Sequence, residues 1–217
     1  MAVQVNNSGT ALLKYALLLS YITIGYNLLE GGISVYFGHS DDTLALFGFG
    51  VDSFVEVLSG IGIGHMVWRM QKSPVEKRDS FEIQALRITG IAFYILVIGL
   101  ILGAALSVIY QLEPRTTLAG IIVSLISILT MYFLYREKLK TGKALNSDPI
   151  VSDANCTKTC FYLSFILLAS SFIYELWNIP YVDAIGSLGI AWFAFKEGKE
   201  AFQKAKSRSI SCGDDCC

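Results

Sequence analysis

Asp52 and Glu56 stand four residues apart in GVDSFVEVLSG, Gly50 to Gly60, inside a run that is otherwise apolar or small. On a helix that spacing puts both carboxyl groups on one face, with Cβ atoms roughly 6 Å apart. A carboxylate near a bilayer centre costs on the order of 2.5–3.5 kcal/mol by insertion scales, so two on one face call for a cation, protons or water. A second pair lies in NSDPIVSDANCTKTCFYLSF: Cys156 and Cys160 are again four apart, and Asp153 falls one turn before Cys156 on roughly the same side. Two helices that each offer two donors at this spacing can enclose one ion tetrahedrally. Carboxylate and thiolate are both acceptable ligands for a zinc-type ion at about 2.0–2.3 Å. Either pair alone arises by chance. Together, in two apolar stretches, they make Asp52, Glu56, Cys156 and Cys160 the candidate metal ligands, with Asp153 as a lesser candidate or a supporting group.

Each assignment has a plainer counterpart. The carboxylates could bond a neighbouring helix or crevice water, and a free cysteine is a small residue that buries readily. Lys158, between the two thiols, must point away from them and either pair or snorkel. Glu30 and Asn27 could support the site or sit near the outer interface, and His65 falls on nearly the opposite face from Glu56. The terminal CGDDCC offers Cys212, Cys216 and Cys217 with two aspartates, which suits a metal-collecting or metal-sensing arm, a disordered end, or palmitoylation. The five cysteines are odd in number and follow no disulfide-scaffold spacing, which favours thiols kept reduced for metal.

The elements that must carry these groups are transmembrane helices. Of 217 residues, 53% are hydrophobic and 16% charged, against about 25% charged in a soluble domain. The 17 basic and 18 acidic residues nearly cancel, so bulk charge suggests no nucleic-acid partner. Apolar blocks predict six spans at about 11–37, 42–69, 81–111, 116–136, 147–175 and 180–203. The N-terminus has no basic n-region and its apolar block is too long for a signal-peptide core, so the first span is expected to be retained. The fourth block has no ionisable side chain except tyrosine and suggests no chemistry. The loops alternate in charge. Arg69, Lys72, Lys77 and Arg78 follow the second span, Arg136, Lys138, Lys140 and Lys143 the fourth, and a basic tail the sixth, whereas the other loops hold at most Arg115. The positive-inside rule then puts both termini in the cytoplasm. The expected product is an all-α, multi-pass protein of a prokaryotic plasma or inner membrane. Residues 1–207 form its transport domain and 208–217 a flexible Cys-rich cytoplasmic tail, too short to bury a core of its own.

These motifs resemble the cation diffusion facilitator family. Its second span typically reads like VDSLVD, and this chain has VDSFVE at 51–56. Its fifth reads A-D-x-x-H-x-x-x-D, and this chain has S-D-A-N-C-T-K-T-C at 152–160, so Asp153 falls on the leading Asp, Cys156 on the His and Cys160 on the last Asp. The final block, YVDAIGSLGIAWFAFKEG, resembles the family's D-P-I-G-S opening at Asp183. The resemblance implies a homodimeric divalent-metal/proton antiporter that exports metal from the cytoplasm and is not an enzyme, of the short branch without a cytoplasmic metal-binding domain. Two thiols in place of imidazole and carboxylate shift the expected ion from Mn²⁺, Fe²⁺ or Co²⁺ toward Zn²⁺ or Cd²⁺, with Hg²⁺ or Cu⁺ as softer options. The rivals are a membrane thiol oxidoreductase using Cys156 and Cys160, which leaves the acidic pair unexplained, and a non-transporting metal sensor.

Overall fold

The computed structural model describes residues 7–72, 80–111, 113–145, 147–179 and 181–211. Among them it holds six helices and no strand: α1 (Asn7–Ser40), α2 (Leu44–Lys72), α3 (Ser80–Tyr110), α4 (Leu118–Ala144), α5 (Asp148–Trp177) and α6 (Val182–Ser211). At 1.5 Å per residue each outruns a hydrocarbon core of about 30 Å, so helix ends stand in the interfacial layers. Five helices carry a segment long and apolar enough to cross a bilayer: Ala11–Ser40, Leu44–His65, Gly90–Tyr110, Leu118–Ala144 and Asp153–Trp177. The sixth expected span differs. α6 is apolar only to Phe195, after which Lys196, Glu197, Lys199 and Glu200 dilute it. It lies along α3 and also touches α2 and α5, so it offers lipid less surface than a peripheral helix and needs less apolarity. α6 continues to Ser211, four residues into the segment read as a tail.

The helices associate closely as α1 with α2, α3 with α6 and α4 with α5, and α2 also touches α3, α5 and α6. The helix with the acidic pair is therefore central. Its outer half fills the main core, where Leu46 and Phe49 meet Leu100 of α3, Leu163 and Leu167 of α5 and Ile190 of α6. Large apolar side chains on the outer surface, such as Ile95, Leu102 and Ile109 on α3 or Ile122, Leu129 and Phe133 on α4, are the lipid-facing complement. α1 and α2 meet through glycine. A Cβ on Gly50 would stand 2.7 Å from Ser34 Cβ and 2.8 Å from the Val35 nitrogen, and one on Gly38 only 2.5 Å from the Phe47 nitrogen. Side chains there would wedge the two backbones apart.

Two carboxylates from other helices cap the outer ends of α2 and α4. Asp183, in the first turn of α6, accepts from the backbone nitrogens of Leu44 (2.7 Å to Oδ2) and Ala45 (3.3 Å to Oδ1). Glu175 of α5 accepts from the Thr117 nitrogen at 3.0 Å and its hydroxyl at 3.1 Å. Both satisfy helix-start N–H groups that have no partner within their own helix, and both place negative charge at the positive end of a helix dipole. Asp183 thus fixes where α2 begins, and with it the depth of Asp52 and Glu56. Asp183→Ala is expected to lower stability by about 1–2 kcal/mol, read as a reduced melting temperature of the detergent-solubilised protein. An unchanged melting temperature would show that the cap is idle.

Candidate metal site

α2 and α5 run antiparallel, so rising residue numbers on one face falling numbers on the other. The polar groups consequently meet in successive levels. Outermost, the Cys160 thiol donates to Asp52 Oδ2 at 3.5 Å, and the same thiol interacts with Glu56. One turn inward, the Thr157 hydroxyl lies 3.0 Å from Glu56 Oε1 and 3.3 Å from the Asp153 carbonyl. At the inner level Lys138 Nζ of α4 lies 2.9 Å from Asp153 Oδ2 and donates to Thr157 Oγ1 at 2.9 Å. α1 adds Glu30, which accepts from Tyr26 OH at 2.7 Å and from Ser53 Oγ, the residue after Asp52, at 3.0 Å.

Burial is nearly complete. Asp52 is 3% exposed, Glu56 4%, Asp153 3%, Glu30 5% and Lys138 1%. Among the described residues, four buried carboxyl groups of the site thus share a low-dielectric interior with one buried ammonium group, and their ionised forms need further positive charge. Glu56 Oε2 and Asp153 Oδ1 are buried and have no hydrogen-bond partner among the described residues, which leaves lone pairs open to a cation or a proton. Among the described residues, no three His, Cys, Asp or Glu side chains are drawn together closely enough to hold an ion. The donors are adjacent rather than converged.

Of the sequence-derived candidates, Asp52 and Cys160 meet directly, and Glu56 interacts with the same thiol. Cys156 is half-buried one turn further in and lies in the electrostatic field of Lys138, and Cys160 and Thr157 of the same helix lie against the acidic pair. Asp153 is a salt-bridge partner at the inner end of the site. Cys212, Cys216 and Cys217, with Lys77 and Arg78, lie outside the described residues. Lys158 places its ammonium 5.7 Å from the Tyr162 ring centroid, turned away from the thiols as the helical spacing requires. Asp42, at the outer end, is bound by Arg115 at 2.9 Å.

Three site residues escaped the sequence reading or were misplaced by it. Lys138, assigned to a basic cytoplasmic loop, is a buried helical residue, because α4 runs to Ala144 rather than stopping at 136. The fourth helix, expected to contribute no chemistry, therefore supplies the site's cation. A signal was present. Lys138 continues the buried stripe Ser124, Ser127, Met131, Leu134 in steps of three and four. Thr157 went unnoticed because a hydroxyl inside an apolar helix ordinarily bonds its own backbone. Glu30, undecided between site and interface, is in the site.

A model of the cation efflux transmembrane domain matches residues 17–207. The manganese efflux system protein MneP of Bacillus subtilis (strain 168) is 27% identical over 192 residues, a match covering 84% of this chain and 64% of that protein. The chain thus spans just under two thirds of the length of this curated relative.

Proposed function

The chain belongs to the cation efflux family as a multi-pass membrane protein, and on that premise we propose that it is a secondary transporter exporting a divalent metal ion in exchange for protons. The observation that carries this reading is the charge imbalance of the buried site, four buried carboxyl groups against one buried ammonium among the described residues, with Glu56 Oε2 buried and without a hydrogen-bond partner among them. Asp52, Glu56 and Cys160 are the ligands the geometry favours, and Cys156 is the fourth donor, recruited when α5 shifts against α2. Metal and protons compete for the same lone pairs. An unperturbed thiol has a pKa near 8.5 and a carboxyl near 4, so ion capture releases protons and outside protons displace the ion. The movement is a rigid-body displacement of helices around a midplane site, in a homodimer.

The donor chemistry, carboxylate with thiolate, favours Zn²⁺ or Cd²⁺ as cargo. Mn²⁺ is the second reading, favoured by the manganese for which MneP is named and by the preponderance of carboxylates. The test is flux into proteoliposomes with an acidic lumen, comparing Zn²⁺, Cd²⁺ and Mn²⁺. Uptake that accelerates with the proton gradient and ranks Cd²⁺ and Zn²⁺ above Mn²⁺ is expected. The reverse ranking would assign the harder ion, and uptake indifferent to the gradient would remove proton exchange. No flux of any ion would overturn export altogether.

A further inference from the structure

Lys138 is not accounted for by metal ligation. A lysine that close to a helix end could reach water, as Lys140 and Lys143 do on the exposed side of the same helix. Instead its ammonium group is held inward by Asp153 and Thr157, each at 2.9 Å, and Thr157 links it to Glu56. A buried pair of this kind adds little stability relative to an apolar substitute, so its effect is sought in the charge it brings to the site.

The geometry points to Lys138 as a tethered cation that sets the affinity of the site for its cargo. This inference rests on the metal-transport reading. With no ion bound, the ammonium group is the inner counter-charge of Asp153 and, through Thr157, of Glu56. A divalent ion arriving at Asp52, Glu56 and Cys160 meets that fixed positive charge one level away and is repelled by it. The ion is therefore bound less tightly than the carboxylates alone would hold it, and it leaves more readily. Lys138 touches no ligand position reserved for the ion. It acts through Asp153, Thr157 and the field at Glu56, and trades tightness of binding for turnover.

The test is the sign of the effect at each end of one salt bridge. Zn²⁺ and Mn²⁺ binding to the purified full chain in nanodiscs is measured by titration calorimetry, beside flux in proteoliposomes. Lys138→Gln is expected to bind Zn²⁺ roughly tenfold more tightly and to turn over more slowly. Asp153→Asn is expected to bind roughly tenfold more weakly. A pair that merely held α4 and α5 together would weaken binding from both sides. Because Lys138→Gln leaves Asp153 buried without its partner and can fail to fold, the deciding comparison is Asp153→Asn against Asp153→Asn/Lys138→Gln, which buries no broken pair. If the double variant binds no more tightly than Asp153→Asn, or if a folded Lys138→Gln binds no more tightly than the parent, the inference is overturned. A parent protein that neither binds nor moves either ion overturns the transport reading instead, so the two failures are distinct.

Discussion

Asp52→Ala is expected to abolish metal flux, by a factor of at least about 100, while leaving the protein folded. The carboxylate is buried in α2 and accepts from the weakly donating thiol of Cys160. Alanine favours the helix more than aspartate does, and removing a buried carboxyl short of counter-charge relieves the interior rather than burdening it. Stability is thus expected to stay level or rise as transport disappears, a split that lost packing does not produce. Asp52→Asn, which keeps the shape and loses the charge, is expected to behave the same way. The measurements are Zn²⁺, Cd²⁺ and Mn²⁺ uptake into proteoliposomes and the melting temperature of the same preparations. Transport at the parental rate by Asp52→Ala would show that the ion does not bind at Asp52.

Cys160→Ser is expected to reorder the ions rather than silence the protein. Cys160 faces the acidic pair, with its thiol 3.5 Å from Asp52 Oδ2. Exchanging sulfur for oxygen keeps a small polar group there but replaces a soft donor that can ionise with a hard one that does not. Cd²⁺ flux should fall about 10–100-fold while Mn²⁺ flux changes by no more than a few-fold. Cys156→Ser is expected to do less, since that half-buried thiol lies toward Lys138. Equal losses from the two serine variants would make both thiols full ligands in transport. An unchanged ranking of Cd²⁺ against Mn²⁺ would reduce both to packing residues and return the site to its carboxylates.

Much of this protein is legible without coordinates, because the properties concerned are local. Six apolar blocks give six helices, since the length and hydropathy of a block are carried by that block alone. The four-residue spacings at Asp52/Glu56 and Cys156/Cys160 put like groups on one helical face whatever the neighbours do. The turning away of Lys158 follows from the same geometry. Even the polar, charged end that sets α6 apart from the other spans is visible in Lys196, Glu197, Lys199 and Glu200.

The tertiary structure decided what faces what. Lys138 reads as one more loop cation because a count of charges does not show where a helix ends. It is held inside by Asp153, 15 residues away on another helix. Glu30 becomes a member of the site only because Gly38 and Gly50 let α1 lie against α2 closely enough for Ser53 to reach it. Asp183 is conspicuous as a lone acid opening α6, yet its work as the cap of α2 depends on two helix ends 139 residues apart in sequence meeting at the outer face. Helical periodicity determines the face on which a side chain lies. Only packing determines the charge it meets there, and in a low-dielectric interior that meeting determines whether a carboxyl group is a salt-bridge partner, a helix cap or a place for an ion.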